Sequence, residues 1–193
     1  MRKIEIKAVM FLILLAMSYG CASQTMVPAP VLKSVDNDKA LVTFMMTGQT
    51  ANPFPTFQFE FDIWDSEKFI GALSRYTYFQ YLTDPGEHLF MARGGNRSFV
   101  KANLQAGRKY YVFVNLSIKP FYQNVYFEPV KKENKELIDA IPSYLKDLQP
   151  MSMPPKQRDD YIKDRIEDVK NEIEAFGANE YDYSTLDAQD GIE

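Results

Sequence analysis

Over Phe57–Trp64 the chain alternates with a period of two. Phe57, Phe59, Phe61 and Ile63 fall on one side, and Gln58, Glu60, Asp62 and Trp64 on the other. That period predicts a half-buried strand. Runs rich in Val, Ile, Tyr and Phe predict further strands at 40–46, 68–73, 77–82, 87–93, 98–104, 108–118 and 122–130. Asp84-Pro85-Gly86, Gly94-Gly95-Asn96 and Gln105-Ala106-Gly107 supply the turns between them. Tyr110–Val114 is apolar at every position, as a central strand covered on both faces must be. The fold class predicted is mainly β, an antiparallel β-sandwich of about seven to eight strands.

Beyond Lys132 the period changes. Ile162, Ile166, Val169, Ile173 and Phe176 recur at helical spacing, with Ser152 and two prolines placed to start a helix and Gly177 to end it. Two heptads are too short to stand alone, so this stripe needs an apolar surface, on the sheet or on a partner. Residues 133–148 also read as helical, with Pro142 expected to break or kink the run.

The first residues follow a third pattern. Arg2, Lys3 and Lys7 precede an uncharged run from Ala8 to Met17. Ten residues fall short of the roughly 20 that a membrane-spanning helix needs, and match a secretory leader. The expected division is therefore a signal peptide at 1–20, a tether at 21–32, a β-sandwich domain at 33–131, a helical extension at 132–177 and an acidic disordered tail at 178–193.

Charge sharpens these boundaries. Residues 31–131 carry 11 Lys/Arg against 9 Asp/Glu, whereas 132–193 carry 8 against 16. A net charge of −4 gives no basis for nucleic acid as a partner. One Cys and one His exclude a disulfide framework and a zinc site built from those ligands, and no cofactor is called for.

The single Cys lies in Ser18-Tyr19-Gly20-Cys21-Ala22-Ser23, directly after the leader. This resembles the lipobox of bacterial lipoproteins, in which the Cys becomes the lipidated N-terminus. The resemblance implies a membrane anchor through Cys21. With Ala22 rather than Asp in the next position, it implies the periplasmic side of the outer membrane. Ordinary cleavage near Ala22, leaving a soluble chain, is the alternative.

Phe69-Ile70-Gly71-Ala72-Leu73, Thr77-Tyr78-Phe79, Pro85-Gly86-Glu87-His88 and Ala106-Gly107-Arg108-Lys109-Tyr110-Tyr111 follow in order. Their spacing resembles an uncharacterised family of small bacterial lipoprotein domains, with a Pro-Gly-x-His turn and an Ala-Gly-x-x-Tyr-Tyr strand. The resemblance spans about half the chain, from Ala40 to about Val130. It implies an envelope lipoprotein with a compact β-sandwich and assigns no activity.

Candidate chemistry is sparse. His88 could act as a base toward Ser98 with Asp84 beside it, but the favoured reading is structural, with His88 bonded to the Pro85-Gly86 turn and packed on an aromatic ring. Glu60 and Asp62 project from one strand face, where paired carboxylates could serve glycoside hydrolysis or bind a cation. A solvated acidic surface, enlarged by Asp65 and Glu67, is the simpler reading. Asp36-Asn37-Asp38 reads as a turn. Asn96-Arg97-Ser98 and Asn115-Leu116-Ser117 match the glycosylation triplet, which carries no meaning in a bacterial lipoprotein. Most of the 27 aromatics are expected in the core, leaving Trp64, Tyr76, Tyr81, Tyr122 and Tyr126 as a possible outward binding surface or as a bed for the C-terminal helix.

Three functions remain in view. The first is a non-enzymatic membrane-anchored module that binds or scaffolds another envelope protein, of unstated oligomeric state. The second is a small-ligand module for glycan or lipid, and the third a hydrolase.

Overall fold

The computed structural model describes residues 26–32, 34–48, 60–119, 122–154, 159, 161–178 and 181–192. The leader, Cys21, the first part of the tether and the start of the Phe57–Trp64 run lie outside them. Strand accounts for 47% and helix for 23%, so the chain is mainly β.

Two sheets, A of six strands and B of five, carry the fold. In spatial order sheet A holds β1 (Val27–Pro28), β10 (Gln149–Ser152), β5 (Thr77–Thr83), β2 (Ala40–Met46), β8 (Lys109–Lys119) and β9 (Tyr122–Pro129). Sheet B holds β11 (Tyr183–Leu186), β7 (Arg97–Leu104), β6 (Gly86–Arg93), β3 (Phe61–Asp65) and β4 (Lys68–Leu73). The sheets are mixed rather than antiparallel throughout: β2 runs parallel to β8, β5 to β10 and β7 to β11. These partners are remote in sequence, so no tight hairpin fixes their relative direction. Where Gly94-Gly95-Asn96 does join neighbours, β6 and β7 pair antiparallel from Arg93↔Arg97 onward. Asp84-Pro85-Gly86 instead carries the chain from sheet A to sheet B. Gly86 sits there at φ 121°, a backbone region closed to most side chains.

One core joins the sheets. Ala40, Val42, Phe44 and Met46 of β2 point into it, and Phe44 stacks on Phe79 of its own sheet while meeting Phe90 of the other edge-on, both at 5.2 Å. Strand β8 is covered on both faces, as its unbroken apolar run requires. Tyr110, Val112 and Val114 face the shared core, and Phe113 packs with Met45, Tyr78 and Ile141 beneath helix α1 (Lys135–Asp147). Helix α2 (Ile166–Gly177) lies across the outer side of sheet B, burying Val169 and Phe176. Phe176 stacks on Phe99 at 4.5 Å, and Tyr161, just before α2, meets Phe69 at 4.7 Å.

Several expectations are corrected. The segment 132–177 is not wholly helical, because Ser152 ends β10, paired with Val27, instead of capping a helix. A turn at 164–165 precedes α2, and Pro155 lies outside the described residues. Helix α1 runs through Pro142, since its buried face keeps packing on sheet A after one backbone donor is lost. The segment 178–193 is no disordered tail where it is described: β11 adds to β7, and Lys109 bridges Ile192. A buried Asp190, rather than a run of apolar residues, holds this end. Its carboxylate accepts from Asp187 N, Lys132 N and Lys131 Nζ, at 2.8, 3.1 and 2.9 Å.

Candidate functional site

His88 leads the candidate chemistry, and its surroundings follow from strand alternation. It lies two residues before Phe90 on β6 and so faces the inter-sheet core, where the two rings stack at 5.6 Å. Asp65, at the end of β3, faces the same way because it pairs with Phe90. The left-handed Ser66 (φ 50°) turns the chain there, and its N–H is taken by Leu89 O at 2.7 Å.

The result is a closed polar network at one end of the core. His88 Nδ1 lies 2.8 Å from Asp65 Oδ2, and Nε2 lies 2.9 Å from Asp84 O. Both neighbours are acceptors, so the ring satisfies both only as an imidazolium that donates twice. The hydrogen bond to Asp65 accordingly holds the His88 pKa above its ordinary value, against the opposing effect of burial. Tyr81 donates to the same Asp65 oxygen at 3.0 Å and accepts from Lys68 Nζ at 3.0 Å. Asp84, whose backbone holds His88, pairs its exposed side chain with Lys39 at 2.6 Å. The structural reading of His88 thus gains a partner that sequence reasoning missed. Asp65 belongs to this network and not to an acidic surface. Its place one residue before a β-turn, on the inward phase of β3, was the available signal.

The Glu60–Asp62 pair is also corrected. Glu60 is exposed, whereas Asp62 is buried under Tyr161, which donates to it, with Arg165 and Arg93 at 3.6 and 4.0 Å. Burial raises the Asp62 pKa, although Tyr161 and the two arginines pull the other way. Beside it Glu172 of α2 accepts from Arg93 at 2.8 and 3.2 Å and pairs with Arg97. These charges pin α2 to sheet B. Among the described residues no group of His, Cys, Asp and Glu gathers in a way that could hold a metal ion.

The five aromatics proposed for a surface are not brought together. Trp64 is fully buried, against Phe69 on the face under α2, and Tyr81 is buried in the Asp65 network. Trp64 keeps the phase of Asp62, opposite to Ile63, and is buried because α2 and the residues just before it cover a face the pattern alone leaves to solvent. Tyr76 and Tyr126 are exposed. Tyr122 lies on β9, and its side chain is outside what is described. Asp36-Asn37-Asp38 forms the expected turn, with Lys39 N bonded to Asp36 O at 3.0 Å.

An open groove of about 540 Å³ runs over the outer side of sheet B beyond the end of α2. Glu87, Leu89, Lys101 and Asn103 line it, with Phe176 and Asp187 on its walls. Lys101 Nζ lies 4.2 Å from the centre of the Tyr183 ring and 5.2 Å from that of Phe176. Lys131 fixes the Asp187 wall at 3.2 Å. The groove sets an aromatic wall, Phe176, beside a floor that carries charges of both signs, a composition suited to binding a polar surface. Sequence reasoning missed it because β11 and α2, which wall it, come from segments read as tail and extension.

Compared with known protein families, curated proteins and solved structures, the chain matches none.

Proposed function

We propose that the chain is a non-enzymatic bacterial cell-envelope lipoprotein. It is a β-sandwich anchored through Cys21 on the periplasmic side of the outer membrane, and it binds another envelope protein through the groove on sheet B. It belongs, on this reading, with the small lipoprotein domains whose turn and strand motifs it resembles. The groove carries the proposal, because a rigid floor of paired strands holds Glu87, Lys101, Asn103 and Asp187 in fixed relation beside an aromatic wall. His88 supports it too. An imidazolium held between two of the chain's own acceptors has no free nitrogen with which to take a proton from a substrate.

The exposed Tyr183 ring, under Lys101 and beside the groove, favours a glycan as the second occupant to test. A photo-crosslinking residue placed at Asn103 in cells is expected to capture a defined envelope protein. The same residue at exposed Tyr126, on the other sheet, is expected not to capture it. Equal capture from both positions would refute the groove as the binding site.

A further inference from the structure

Resting on the reading of Cys21 as an anchor, we infer that the domain lies against the bilayer with one defined face, formed by Val27, Val31, Leu32 and Leu82. All four are exposed, at 37%, 44%, 44% and 38%. They belong to one patch. Gln80 brackets Leu32 with its side-chain amide, accepting from Leu32 N at 2.7 Å and donating to Leu32 O at 3.2 Å. Leu82 is two residues further along β5 and so projects from the same side as Gln80. Ala29 N bonds to Pro150 O at 3.0 Å, fixing the other end of the segment beside Val27.

Chain length selects the occupant. Met26 is buried in the hydrophobic core, five residue-to-residue steps along the chain from Cys21. Fully extended, they reach at most about 18 Å. An acylated Cys21 therefore keeps the beginning of the domain within that distance of the lipid headgroups, and the nearest exposed apolar side chains are those of 27–32. Bilayer contact removes their surface from water, which favours this face over any polar one. Asp36 and Asp38 are exposed near the start of β2, and Asp84 follows the end of β5. The contact is consequently apolar, not an attraction to anionic lipid, and it persists on zwitterionic membranes and at high salt. Sheet B and its groove lie on the far side of the molecule, turned toward the periplasm.

The test couples the chain from Cys21 onward, through its single thiol, to phosphatidylcholine vesicles carrying a maleimide-headgroup lipid. Amide hydrogen exchange is then compared with that of the uncoupled chain. Exchange at 27–32 is expected to slow about fivefold on vesicles, with 87–89 and 101–103 unchanged. The Val31→Ser, Leu32→Ser, Leu82→Ser variant is expected to lose that slowing while staying coupled. Leu82→Ser alone, expected to lose part of it, replaces the triple variant if that one unfolds. Equal rates on and off vesicles, or slowing at the groove instead, would overturn the inference. Because coupling is chemical, this outcome is independent of whether cells acylate Cys21, which the Cys21→Ala variant reads separately.

Discussion

Asn96 and Val125 pair through a side chain that takes the place of a strand. Val125 N donates to Asn96 Oδ1 at 2.7 Å, and Asn96 Nδ2 donates to Val125 O at 2.9 Å. Two residues on, Phe127 N donates to Ser98 Oγ at 3.0 Å. Strand β9 is the last of sheet A, and these bonds occupy backbone groups that an open edge would offer to another chain. Asn96 and Ser98 stand at the β6–β7 turn of sheet B, so the same bonds tie the two sheets together.

Replacing Asn96 by Ala strands both backbone groups of a fully buried Val125. The expected loss is about 2–3 kcal/mol in urea denaturation, with Ser98→Ala costing about 1 kcal/mol. Equal, negligible losses would mean that water or a shifted strand replaces the pairing.

The His88 imidazolium gives a pH signature. Its pKa is raised above the ordinary 6.5, so its contribution to stability is complete below that value. It is lost as pH rises through the higher folded value. The stability gap between the wild type and His88→Gln is therefore expected to be widest below pH 6.5 and to narrow as pH rises through the raised folded value, read from urea midpoints. A gap that widens with pH would contradict the double-donor geometry.

Glu172 joins Arg93 and Arg97 in a largely covered site, and its removal takes the carboxylate from Arg97 and leaves Arg93 only the longer contacts to Asp168 and Asp62. Glu172→Ala is expected to cost about 3 kcal/mol. Amide exchange of α2 should accelerate ahead of that of sheet B, because this cluster holds the helix on its face.

Asp190 draws its low pKa from bonds that outweigh burial: the Asp187 and Lys132 backbone N–H groups and the Lys131 ammonium. A depressed carboxylate adds stability above its ordinary 3.8, which is lost as pH falls through the lower folded value. Asp190→Asn is expected to cost about 2 kcal/mol near neutral pH, with the difference from wild type shrinking in acid.

The strands and their turns were legible because alternation and Pro/Gly punctuation are local. Tyr110–Val114 announced its central place, and the Ile162–Phe176 stripe announced a helix needing a surface. The sequence did not show which surface. Trp64 and Asp62 looked outward until α2 was laid over them, and covering is a tertiary event with no local signature. Strand β11 was hidden for a related reason. It is short and flanked by acidic residues, it buries only Leu186 fully, and Lys131 and the buried Asp190 hold the residues that follow it. Parallel pairing was likewise invisible, since partners such as β2 and β8 are far apart in the chain.

Membrane attachment through Cys21 is the claim on which the rest of the functional reading stands. Cells expressing the wild type or Cys21→Ala, fed an alkyne-bearing fatty acid and then fractionated, test it most directly. The expected result is a wild type that carries label and sediments with the outer membrane, and a mutant that is unlabelled and soluble in the periplasm. An unlabelled wild type, or a mutant that sediments as the wild type does, would contradict it.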